Sequence, residues 1–188
     1  MKKALLLKTT LALALATPLL ASAESDVTTG SEANAGNVGA SARLNFSITI
    51  PRFIALQVGT AGGTVDTVDF VLTEAQASAT GAVAPATGSP VNVSLRANVG
   101  NVDLESTGAD LTNGSETIPL TRLSVPTTTG NLAHPAFNGS ISVVPNIGTS
   151  VISRTGTWAY SYDHQGAGAA APGAGTYTTV VTYTASAP

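Results

Sequence analysis

Few residues in this chain have the types and spacing that catalysis or metal binding requires. The only histidines are His134, which precedes Pro135, and His164, which follows Asp163. An Asp–His pair can seed a metal or acid–base centre, but neighbours on a strand point to opposite faces. No third ligand accompanies them, and no serine stands in the Gly-x-Ser-x-Gly setting of a nucleophile elbow. Both histidines are therefore expected as polar residues on surface loops. Asp66 and Asp69 lie three apart, and Asp103 and Glu105 alternate on one strand face. Paired carboxylates serve calcium sites and glycosidases, yet neither pair has the dense Asp/Asn/Gly spacing of a calcium loop. They read as solvated strand faces. Trp158, Tyr160 and Tyr162 form an aromatic stripe that could stack on a sugar ring. At strand spacing the same stripe suits half of a β-sandwich core, with the tyrosine hydroxyls at its rim. No catalytic residue, cofactor or metal is expected, and the chain does not read as an enzyme.

Composition narrows the remaining classes. The chain has 188 residues and no cysteine, which excludes disulfides and thiolate metal sites. Met1-Lys2-Lys3 begins a basic, then apolar, stretch that ends in Ala21-Ser22-Ala23. This is the layout of a cleaved signal peptide over residues 1–23, with Glu24 as the first mature residue. Lys8 and Pro18 leave too short an apolar run to span a bilayer, and no membrane insertion of the mature chain is expected. All three lysines fall in the leader, so five arginines face eleven acids in the remainder. No basic patch is interleaved with aromatics, which argues against nucleic acid as a partner.

The elements that would carry these residues are strands. Leu44, Phe46, Ile48 and Ile50 alternate with Arg43, Asn45, Ser47 and Thr49, the period-2 pattern of a strand with one apolar face. Pro51 ends or bends it, and Ile54, Leu56 and Val58 resume the alternation. Ahead of it, residues 24–41 are rich in Gly, Ser, Asn and Ala and read as a flexible arm. Further strands are expected at Val68–Leu72, Val91–Ala97, near Asn101–Glu105, around Ile141 and Val143, and over Thr157–Tyr162. Asn113-Gly114 marks a hairpin, and Pro119 and Pro126 confine their region to an edge or a bulge. Residues 75–90, 127–138 and 166–175 read as loops, with one short helix conceivable from Glu74. A last strand spans Thr176–Thr184, with Tyr177, Val181 and Tyr183 on one face and Val180 on the other. About eight or nine short strands and no long helix predict an all-β fold, an immunoglobulin-like Greek-key sandwich over residues 42–188. Four large apolar side chains in the opening strand represent about 6–12 kcal/mol of gross burial. Left exposed, such a strand would aggregate, so it must be covered by its own sandwich or by another subunit.

This layout resembles the cysteine-free class of chaperone–usher pilin subunits typified by colonisation-factor pili. The shared features are the leader, the alternating strand Leu44 to Ile50 running into Pro51 and Ile54-Ala-Leu56, and the end of the chain. There a Gly/Ala/Pro loop precedes Gly175-Thr-Tyr177-Thr-Thr-Val180-Val181-Thr-Tyr183. The resemblance implies that Leu44, Phe46, Ile48 and Ile50 form a donor strand that completes the sandwich of the next subunit. It implies that Tyr177, Val181 and Tyr183 flank the acceptor groove. It further implies an exported structural subunit that passes through the periplasm to a fimbrium at the cell surface. Its partners would be copies of itself or related subunits, a periplasmic chaperone and an outer-membrane usher. The competing expectation is a monomeric, secreted or periplasmic carbohydrate-binding module that uses Trp158 and its neighbouring tyrosines.

Overall fold

A computed structural model describes residue 26 and residues 39–148, 151–166 and 170–188. The expected signal peptide and nearly all of the expected 24–41 arm lie outside the described residues, as do residues 167–169 of the Gly/Ala loop. The chain divides into two units, Met1–Ile50 and Pro51–Pro188. Among the described residues no helix is long and apolar enough to cross a membrane.

The second unit is built almost entirely of antiparallel strands, as the alternation predicts. Its pattern is clearest in β3 (Val91–Ala97), where Val91, Val93, Leu95 and Ala97 are buried while Asn92 and Arg96 face solvent. Branched residues fit a pleated surface, and the two-residue period sends them all to one face. β3 lies between β1 (Ile54–Val58) and β9 (Ile152–Asp163), pairing Ile54 with Ala97 and Val91 with Trp158. β2 (Ala82–Val83) and β7 (Leu123–Gly130) also pair with β9, completing a five-stranded sheet. A second sheet runs β10 (Val181–Ser186), β4 (Val102–Gly108), β8 (Ser142–Val144). β5 (Leu111–Thr112) and β6 (Thr117–Ile118) form a small hairpin around Asn113-Gly114, whose Asn113 Oδ1 accepts from the Ser115 and Glu116 amides. Leu95, Val102, Leu104, Leu132, Ile152 and Trp158 are fully buried and belong to one core contributed by both sheets.

Several expectations need correction. Residues 41–50 lie in no strand; the first strand begins at Ile54, after Pro51 has removed a donor. Within 68–72 there is only an isolated bridge, Asp69 to Thr87, although Val68, Phe70 and Leu72 are half-buried in the expected phase. The expected loop at 127–138 is strand up to Gly130, because a bulge between Ser124 and Thr127 takes up Pro126 and lets β7 resume pairing. At β8 the phase is reversed: Val144 is buried while Ile141 and Val143 are exposed. The last strand starts at Val181 instead of Thr176. A single helical turn, α1 (Glu74–Ala77), does form, capped by Thr73 and Gln76 in a reciprocal capping box.

Candidate strand-addition edge

The core is not closed equally on all sides. Ile54, Leu56 and Val58 of β1, and Tyr183 and Ala185 of β10 with the following Ala187, pack against the buried cluster yet remain half-exposed. β1 has one ladder partner, β3, and β10 has one, β4, among the described residues. β1 and β10 are thus the facing edges of two different sheets, and they lie alongside each other. The edge of β10 away from β4 has no ladder partner among the described residues and runs beside an apolar stripe of Val181, Tyr183 and Ala185, while Thr182, Thr184 and Ser186 point to solvent. Such an edge is a template for another strand.

Tyr183 is held in place from below. Its hydroxyl lies 2.9 Å from the Tyr160 hydroxyl and 2.9 Å from His134 Nε2. His134 is not the surface residue expected. Its ring stands edge-on to Trp158, Phe137, Tyr160 and Tyr183, with centroids 4.7 to 5.8 Å away. Burial among these rings lowers its pKa to about 4, because the charged imidazolium would lose its water there. Burial likewise pushes the Tyr160 and Tyr183 hydroxyls up. The result is a neutral, hydrogen-bonded aromatic cluster that supports the β10 side of the opening. Trp158 is fully buried and donates its Nε1–H to the Leu132 carbonyl at 2.9 Å. It offers no face for a sugar.

His164 is also buried, contrary to expectation. Its Nδ1 lies 3.3 Å from the Tyr162 hydroxyl, and its carbonyl accepts from Arg122. Asp163 points elsewhere and accepts from the Gly166 amide at 3.0 Å. No group of three His, Cys, Asp or Glu side chains suited to a metal occurs among the described residues.

The residues expected to flank a groove divide. Val181 and Tyr183 sit on β10 at the half-open margin, but Tyr177 precedes the strand and is bonded to the β5–β6 hairpin. Its hydroxyl donates to the Glu116 carboxylate, and the Gly173 amide donates to the same oxygen at 3.0 Å. That bond raises the Tyr177 pKa to about 12 and lowers that of Glu116. Tyr177 therefore pins the loop that delivers the chain to β10.

In the other unit, the expected donor residues stand exposed: Leu44 68%, Phe46 82%, Ile48 85% and Ile50 76%. Strand pairing includes no described residue before Ile54. Where the second unit begins, Asn98 holds the chain with both ends of its amide. Nδ2–H donates to the Pro51 carbonyl at 2.7 Å, and Oδ1 accepts from the Phe53 amide at 2.7 Å. Sequence reasoning missed this clamp and the His134 cluster, since each joins residues tens of positions apart with no local signature. Compared with known proteins, the chain matches no family model, no curated protein and no solved structure.

Proposed function

We propose that the chain is a structural subunit of a bacterial surface fibre, assembled by adding the Leu44–Ile50 strand of one copy to the open β1/β10 edge of the next. On this reading the two sheets form an immunoglobulin-like sandwich that lacks one strand. The observation that carries it is the half-buried apolar stripe along facing edge strands, in a chain that also exposes four apolar residues at strand spacing. The dimensions agree. Four anchors at every second position span about 20 Å, and six residues of β10 also span about 20 Å. Main-chain hydrogen bonds to β10 would supply affinity, and alternate side chains entering the stripe would supply register. Burying an anchor is worth about 1.5–3 kcal/mol, enough for four of them to hold subunits together. The same reading includes export through the periplasm with a chaperone and an usher; the chaperone's part would be to cover the open apolar edge before assembly.

The test is Phe46→Asp in the full-length chain. Wild-type assemblies should give a ladder of SDS-resistant oligomers that collapses on boiling, and the variant should give monomer alone. Its thermal midpoint should match that of wild-type monomer, because Phe46 is exposed in the single chain. A variant monomer that is markedly less stable would place the strand in its own sandwich and overturn the proposal.

A further inference from the structure

The β1–β3 ladder ends at the pair Ile54–Ala97, and the chain after β3 turns away through Val99-Gly100-Asn101 toward β4. Asn98 stands at that turning point. Its main-chain N–H still reaches the Phe53 carbonyl at 3.2 Å, and among the described residues no further main-chain bond joins the two segments beyond it. The side-chain amide takes its place. It pairs with the Phe53 N–H and the Pro51 C=O, 2.7 Å each, on either side of Arg52. Pro51 adds its own restriction, since the ring fixes φ. The three residues between Ile50 and β1 are thus held at both ends.

We infer that Asn98 is a positioning residue that fixes the root of the donor strand, and with it the angle between one subunit and the next. The inference rests on the strand-addition reading. Ile50, the last anchor, is bound by the neighbour's edge; Pro51, the next residue, is bound by its own sandwich through Asn98. No free residue separates the two. A flexible three-residue joint would instead allow about 10 Å of play. The clamp therefore makes the connection between subunits a stiff one.

The experiment compares full-length wild type with Asn98→Ala by unboiled SDS gel and by curvature of negatively stained filaments. Asn98→Ala should keep the oligomer ladder and lower filament persistence length about twofold or more, because only the joint is loosened. A ladder in both with equal stiffness overturns the role of Asn98 and leaves strand addition standing. No ladder from wild type removes strand addition itself, and this inference falls with it. A lower thermal midpoint with unchanged stiffness would show a merely structural residue and also overturns the assignment. If Asn98→Ala does not accumulate, Asn98→Asp takes its place. It keeps the acceptor for Phe53 and sets a carboxylate against the Pro51 carbonyl, so the same loss of stiffness is expected and wild-type stiffness refutes it.

Discussion

A single imidazole makes part of this fold sensitive to acid. His134 sits among Phe137, Trp158, Tyr160 and Tyr183 and is built in as the neutral form, with its pKa lowered from 6.5 to about 4 by burial. In the unfolded chain it would take up a proton near its ordinary value. The unfolded state therefore binds more protons between these two values, and stability falls as pH drops through that window. The contribution is full above about pH 6.5 and lost by about pH 4. Thermal midpoints followed from about pH 8 to pH 4 should decline, and His134→Gln should flatten the part of that decline owed to this ring. An unchanged profile in His134→Gln would mean that the imidazole does not govern it. The sequence hid this because the cage is assembled from a loop, β9 and β10. What could be read was the stripe Trp158, Tyr160, Tyr162 alone, whose core-facing tryptophan the spacing does predict.

At the scale of elements, alternation was legible wherever one face is fully buried, as in β3, and illegible where glycine, threonine and proline carry a strand. β7 is the instructive case. Thr127-Thr-Thr-Gly130 has no apolar residue, yet it pairs with β9 because the bulge at Val125-Pro126 restores the register. Its end depends on close approach. Gly130 and Gly156 are register partners, Gly130 has φ +77°, and a Cβ at Gly156 would run into the Thr129 carbonyl. Neither backbone can yield without breaking the ladder. Gly156→Ala should destabilise the chain by about 1–3 kcal/mol, read by denaturant unfolding. A change within a few tenths of a kcal/mol would show that β7 is free to shift there. The opening stretch failed in the opposite way: its pattern is strong, yet residues 41–50 lie in no strand, because alternation reports which side chains seek cover and says nothing of what provides it.

For the whole molecule, the proposed strand addition predicts a ligand. The Phe46→Asp chain would keep its open edge and lose a working donor, so a synthetic peptide of residues 42–51 should bind it. A ligand that binds only the folded state stabilises by RT ln(1 + [L]/Kd), about 2.7 kcal/mol at a hundredfold excess over Kd. The thermal midpoint should rise with peptide concentration, and a peptide carrying aspartate at the Phe46 position should leave it unmoved. Equal effects from both peptides would count against the edge as the binding place. On the proposed strand-addition reading, one donor segment and one open edge on every copy would also have a kinetic meaning. Donor and acceptor surfaces would differ, so the contact would be head-to-tail, and unless its geometry closed a ring it would run on as an open filament. Each addition would consume one vacancy and create another just like it. Growth would then have no internal stopping point; filament length would be set by the supply of chains, and a copy whose own edge is blocked would act as a terminator.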